Sequence, residues 1–323
     1  MSGVLRAVLI EAFSDRPCAG NGAAVVLLRH PWADQQLQAL ATSLRQSETA
    51  FLLQQAERWL LRWFTPTCEV RLCGHATLAA ALALGHWGEL PAGQEMQLHS
   101  RSGPLAVRRD PQHPWQASID LPSSELRSAA IPEALTALLA RHGLGAALGF
   151  WRSGLGYSVV LLEEQAALEQ AQGIAADLTN LDDLAMGLVL MQAASDSVEP
   201  GAQVSTVAGQ PVDYRLRFFA PGLGIPEDPV TGSAHALVAP WWQQQLQRDQ
   251  VVGWQCSDRP GGMVCRGVGS GMIRLSGSGH LLWDGTLHTQ PHQPPELDPE
   301  SCGGSPPPLP LPEGWHDLSG NPC

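Results

Sequence analysis

The sequence predicts a mixed α/β fold made of two similar halves that meet at a cleft, and three observations carry that expectation. The chain has 323 residues, 44% of them hydrophobic and 15% charged, more than one ordinary core requires and comfortable for two. Strand-like stretches alternate with helical patterns along its length. A strand, a proline, a glycine turn and a helix then recur in the same order about half a chain apart.

The elements follow in order. VLRAVLIEAF (4–13) is apolar and β-rich and reads as a first strand. DQQLQALATSL (34–44) sets Leu37, Leu40, Ala41 and Leu44 at the i, i+3, i+4, i+7 spacing of one helix face. TAFLL (49–53) and RWLLRWF (58–64) read as strands. HATLAAALALGHW (75–87) is apolar all round, the pattern of a helix buried within its own half. Polar, proline-bounded DLPSSELRSAAIP (120–132) marks the crossing between halves, giving expected bounds of 1–122 and 123–288. IPEALTALLARHG (131–143) has a proline near its first turn and stops at Gly143, a surface helix. SVVLL (158–162) and DYRLRFF (213–219) are further strands. SAHALVAPWWQQQLQ (233–247) is a second all-apolar helix that Pro240 is expected to kink or interrupt. GVGSG (267–271) precedes a strand rather than a helix, so it is a hairpin turn and not a dinucleotide fingerprint. Ten of the 26 prolines fall from Pro291 onward, which marks residues 289–323 as a Pro-rich, flexible tail.

The repeat organises the rest. Residues 62–76 read RWFTPTCEVRLCGHA, and residues 217–234 read RFFAPGLGIPEDPVTGSA. Both run Arg-aromatic-Phe-small-Pro, then a loop, then Gly-polar-Ala opening an apolar helix, as a duplication produces. Each half thus presents the N-terminus of a buried helix, where free N–H groups and the helix dipole attract anions. Two such ends facing across a cleft make a pocket for a small carboxylated ligand.

Bulk properties exclude several classes. A net charge of −12 argues against nucleic acid and anionic membrane surfaces, both of which need basic faces. No run reaches the roughly 18 apolar residues of a membrane span, and the N-terminus lacks the pattern of a secretory signal. Seven scattered cysteines do not form a secreted disulfide framework, so a reduced, cytoplasmic protein is expected.

Within PEDPVTGSAH (226–235) the residues leave two readings of Asp228 open. It is the N-cap of the helix with Pro229 behind it, or the helix starts near Ser233 and Asp228 points from the turn toward the helix end. The first reading buries Gly232 inside the helix at a cost of about 1 kcal/mol.

These stretches resemble the PhzF-like proteins, named for an isomerase of phenazine biosynthesis. The resemblance rests on EAFSDRPCAGNGAAVVLL (11–28), SETAFLL (47–53), RWFTPTCEVRLCGHATLAAALAL (62–84) and RFFAPGLGIPEDPVTGSAH (217–235), with GMIRLSGSGHLL (271–282) fitting the closing strands. It covers about residues 4–285; Ala23 follows Gly22 where GNP is commoner in that family. It implies two pseudo-symmetric α/β domains of α+β type, each a curved, mainly antiparallel sheet wrapped around a central helix, as in diaminopimelate epimerase. The closing strands are then expected to return to the first half. It also implies a homodimer and proton movement on a trans-2,3-dihydro-3-hydroxyanthranilate-like substrate, with no metal and no organic cofactor. Glu48 becomes the expected proton shuttle, with His75 and Asp228 as further catalytic groups and Gly74, Gly232 and Ser233 as substrate-binding positions.

Each of these residues has a plainer reading. Glu48, judged on its surroundings alone, is a solvated link residue. His75 is no favoured cap, and the helix dipole is expected to keep its ring neutral. Cys73 is read as a buried small hydrophobe. Related racemases use two opposed cysteines, and the place matching Cys73 is expected at Pro229-Val230, which supplies no thiol. Cys68, Cys73 and His75 lack a second cluster to complete a zinc site. His235 points to another side of its helix than Ser233. An epimerase or racemase, and a non-catalytic ligand-binding or scaffold protein on the same fold, are the alternative functions.

Overall fold

A computed structural model describes residues 3–194 and 206–289; the proline-rich segment from 290 lies outside the described residues. The first half of the chain contains β1 (Gly3–Ala12), β2 (Asn21–Leu28), α1 (Asp34–Leu44), β3 (Glu48–Gln55), β4 (Arg58–Phe64), β5 (Glu69–Val70), α2 (Gly74–His86), β6 (Glu95–Ser100), β7 (Gly103–Arg109) and β8 (Gln116–Pro122). The second contains β9 (Leu126–Ser128), α3 (Glu133–Arg141), β10 (Ala147–Ser153), β11 (Ser158–Leu162), α4 (Ile174–Leu178), α5 (Asp182–Ala185) and β12 (Leu188–Ala193). It continues through β13 (Thr206–Val207), β14 (Gln210–Pro211), β15 (Tyr214–Phe219), α6 (Gly232–Leu246), β16 (Gln250–Gln255), β17 (Gly261–Gly267) and β18 (Met272–Thr289).

The repeat in the sequence is a repeat in topology. β2 and β3 pair in parallel, β3 and β4 antiparallel, β4 and β6 in parallel. In the second half β11 and β12 pair in parallel, β12 and β15 antiparallel, β15 and β16 in parallel. β18 joins the two sets: Met272–Ser278 pair with β8, and Gly279–Thr289 pair with β1, with a register shift at Leu9/Ile10. Strands β1, β2, β3, β4, β6, β7, β8 and β18 therefore close into a ring.

Inside that ring lies α2, buried from Gly74 to Gly85 and packed on β1, β2, β3, β7, β8 and β18. A helix surrounded by sheet has no wet face, which is why its sequence shows no polar stripe. α6 takes the matching place against β16, β17 and β18. It runs unbroken through Pro240, contrary to the expected interruption. Proline removes one backbone hydrogen bond, and here the flanking turns, with Leu237, Val238, Ala239 and Trp242 buried, are held by the packed sheet. α1 occupies the predicted residues and buries Leu37 and Ala41.

α2 and α6 meet end to end. A Cβ added to Gly74 would lie 3.2 Å from the Cα of Gly232, and one added to Gly232 would lie 3.2 Å from the Cα of Gly74. The two glycines are there because the helix N-termini touch, and that contact places the first turns of both helices at one point.

Candidate active site

The contact between the helix ends gathers the predicted residues. Glu48 opens β3, directly after the segment that follows α1, and its side chain is mostly buried. His75 is the second residue of α2 and is 4% exposed. Oε2 of Glu48 lies 3.0 Å from Nε2 of His75, an ion pair when the ring is protonated, and has no other hydrogen-bond partner among the described residues. The solvated-link reading of Glu48 is thereby set aside.

Asp228 is not a helix cap. Thr231 is the N-cap residue of α6 and Gly232 its first residue. Asp228 instead accepts 2.6 Å hydrogen bonds from Thr231 Oγ1 and from Nδ2 of Asn21. Its backbone is held too: its N–H donates to Phe218 O, and Gln255 Nε2 donates to its carbonyl while Gln255 Oε1 accepts from the Thr231 N–H.

Asn21 and Gln255 were not singled out from the sequence. Asn21 is the node of the site: besides Asp228, its Nδ2 lies 3.1 Å from His75 Nδ1 and 3.2 Å from Val230 O, and its Oδ1 accepts from Ser47 Oγ. Its two hydrogens serve Asp228 and Val230, and the third contact, to His75, is a hydrogen bond only while Nδ1 carries no proton. The sequence signals for Asn21 are a polar side chain at the start of an otherwise apolar strand and its place in the Gly20-Asn21-Gly22 of the stretch 11–28.

The charges favour proton transfer. Burial alone would drive His75 neutral, as the helix dipole would; Cys73 and the Glu48 carboxylate oppose this and hold the ring well above the ordinary imidazole value. The expected neutral ring is thus corrected, because a carboxylate at 3.0 Å outweighs a partial charge at a helix end. Burial, reinforced by the Glu48 charge and opposed by His75, pushes the Cys73 thiol up to about 11. Burial, opposed by His75 and reinforced by Glu48, pushes Asp228 up to about 6.

Cys73 is more than packing. Its Sγ lies 3.5 Å from His75 Nδ1, and it is the N-cap residue of α2. Its counterpart across the site is Thr231, the N-cap residue of α6, and not the expected Pro229-Val230. The Gly-polar-Ala that opens each helix, Gly74-His75-Ala76 and Gly232-Ser233-Ala234, sets Cys73 against Thr231. Glu48, Cys73 and His75 offer ligand atoms within 4.8 Å of one another, a set able to hold a metal once the thiol gives up its proton. Cys68 does not join them; it is exposed and packs on Thr65 and Thr67. His235 is fully buried and bonds Tyr214 Oη at 2.8 Å, away from Ser233. Ser233 Oγ instead lies 3.4 Å from Tyr157 Oη.

Two buried arginines fix the loops that carry these groups. Arg62 of β4 grips Glu69 with Nε and Nη2, both at 2.7 Å, on the way to α2. Arg217 of β15 grips Glu227 at 2.7 and 2.6 Å, one residue before Asp228. The repeated arginine of the sequence is a repeated clamp.

A pH dependence follows. Asp228 and His75 both bind their proton more tightly in the folded chain, so each stabilises the fold at low pH and loses that contribution as pH rises. For Asp228 the loss runs from its ordinary 3.8 to about 6. Fold stability should decline between about pH 4 and 6 by about 1–3 kcal/mol from this group, at the low end because the residue is partly exposed. Thermal unfolding across that range should show the slope, and Asp228→Asn should flatten it; an unchanged slope in the variant would refute the assignment.

Comparison with known proteins bears on the family and the fold. The family model described as phenazine biosynthesis-like protein matches residues 10–277. The chain is 37% identical over 276 residues to an uncharacterized isomerase of Pseudomonas aeruginosa, covering 84% of this chain and 94% of that one. It superposes on a PhzF family protein of Enterococcus faecalis with a TM-score of 0.76 at 28% identity, covering 90% of this chain and 100% of the other. A hydroxyproline epimerase of Agrobacterium vitis matches with a TM-score of 0.55 at 10% identity, covering 90% and 93%, and shares the fold.

Proposed function

Because the chain belongs to the phenazine biosynthesis-like family, we propose that it is an isomerase moving a proton between carbons of a small carboxylated substrate at the junction of α2 and α6. The observation that carries this reading is the Glu48 carboxylate, mostly buried at the junction of the two helices and 3.0 Å from His75.

Glu48 takes a proton from a substrate carbon, becomes a carboxylic acid, and returns a proton to another carbon. No electron is gained or lost, and the enzyme ends as it began. His75, proton-bearing beside Glu48, stabilises the carboxylate and the charge that develops on the substrate. Asn21, bonded to Asp228, lies against the ring at Nδ1. Free N–H groups in the first turns at Gly74, Gly232 and Ser233 receive the substrate's carboxylate. These groups supply acid/base catalysis without calling on a cofactor. Two-base racemisation draws no support, since Thr231 faces Cys73 and a threonine hydroxyl is a poor base.

Turnover of trans-2,3-dihydro-3-hydroxyanthranilate in D₂O tests the reading. The product should carry solvent deuterium on carbon, visible by NMR and mass. Product formed with no deuterium would sink the exchangeable carboxylate shuttle, and no turnover would remove this substrate class.

A further inference from the structure

We infer that Tyr157 is a substrate-binding residue: its ring stands where a second Glu48 would stand, and its hydroxyl, with Ser233, binds the substrate's anionic oxygen. The inference rests on the proposed isomerase reading and deepens it.

Strand register identifies the place. In the first half Phe51 of β3 pairs with Arg62 of β4, and Glu48 lies three residues before Phe51. In the second half Leu190 of β12 pairs with Arg217 of β15, and three residues before Leu190 is Gly187. Gly187 is therefore the counterpart of Glu48. On the neighbouring parallel strand Ala23 sits beside Glu48; Ser158 sits beside Leu188, so Tyr157, one residue earlier, sits beside Gly187. A Cβ on Gly187 would come within 2.4 Å of the Tyr157 ring. Where the first half has a small residue and an acid, the second has a glycine and an aromatic ring that fills the space.

The head groups correspond as well. His75 and Ser233 are each the second residue of their helices, α2 and α6. Glu48 meets His75 at 3.0 Å, and Tyr157 Oη meets Ser233 Oγ at 3.4 Å. Tyr157 is fixed by Phe218, ring centroids 4.8 Å apart. The duplicated site has thus become unlike at its two ends. One end carries the carboxylates of Glu48 and Asp228 around His75. The other carries two neutral hydroxyls, whose long mutual contact leaves a hydrogen free to donate. An anionic oxygen of the substrate finds a hydroxyl donor at the second end and the Glu48 carboxylate at the first.

Calorimetric binding of anthranilate and its neutral amide, anthranilamide, tests this on the intact protein. Wild type should prefer the carboxylate, and Tyr157→Phe should cut that preference by about tenfold while leaving amide affinity and thermal stability in place. Ser233→Ala should act in the same direction, and the double variant should lose less than the sum. Glu48→Gln, which removes a carboxylate from the first end, should not weaken the preference. A Tyr157→Phe preference equal to wild type would overturn the inference, as would wild type that binds anthranilate no better than the amide. If Glu48→Gln retains proton exchange while Tyr157→Phe loses the preference, the base is misassigned and Tyr157 stands.

Discussion

Glu48→Gln should lower the rate of solvent proton exchange into the substrate by about a thousandfold or more, the upper part of the range for loss of a general acid/base. Glutamine keeps the size of the side chain and its place at the head of β3, so the helix junction should persist. What it lacks is a site that accepts and returns a proton. The neighbours offer poor replacements. Cys73, with its thiol pushed up to about 11, is thiolate in only about one molecule in ten thousand at pH 7. Asp228 is ionised at that pH, yet both of its oxygens are occupied by Asn21 and Thr231. A second readout separates chemistry from collapse of the site. Glu48 is one of the groups that raise the His75 pKa, so Glu48→Gln should move the His75 titration downward in NMR. Exchange within tenfold of wild type would mean another residue moves the proton; an unmoved His75 titration would mean the contact with Glu48 is absent in solution.

The parts of this arrangement legible in the sequence were those carried by local pattern. The bare apolar runs of α2 and α6 announced central helices because a surrounded helix needs no polar face. Arg62 and Arg217 announced the duplication because both clamps need the same residue at the same point of a strand. What stayed hidden depends on residues far apart in the chain. Asn21 bonds Asp228 across 207 positions, and nothing near either residue encodes the other. Tyr157 stands at the site only through the pairing of β11 with β12, and its sequence surroundings are those of any strand start. The Cys73–Thr231 correspondence, by contrast, lies in the repeat itself, since each residue precedes the Gly-polar-Ala that opens its helix. The charge state of His75 was misread because the helix dipole is visible from sequence and the approach of Glu48 is not.

Glu227→Ala should cost about 3–5 kcal/mol of folding stability, more than an ordinary surface acid, and should lower proton exchange as well. Arg217 is 1% exposed, and Glu227 holds its fork with two bonds. Removing the acid takes both of those charge-assisted bonds from a guanidinium inside the protein that keeps the Leu168 carbonyl among its contacts, and breaking a buried bidentate pair is costly. The reverse deletion should be milder. Arg217→Met places an apolar side chain of similar reach in an apolar site, and Glu227, 20% exposed, can turn to water. The double variant should therefore be more stable than Glu227→Ala alone, a sign that a simple contact count does not predict. The functional consequence follows from position: Glu227 precedes Asp228, so freeing it loosens the turn that presents the Asp228 carboxylate to Asn21. Chemical denaturation of the three variants beside exchange rates measured under native conditions would decide the matter. Glu227→Ala within about 1 kcal/mol of wild type would show that the clamp is not what holds the loop, since a cost so small is that of an exposed ion pair.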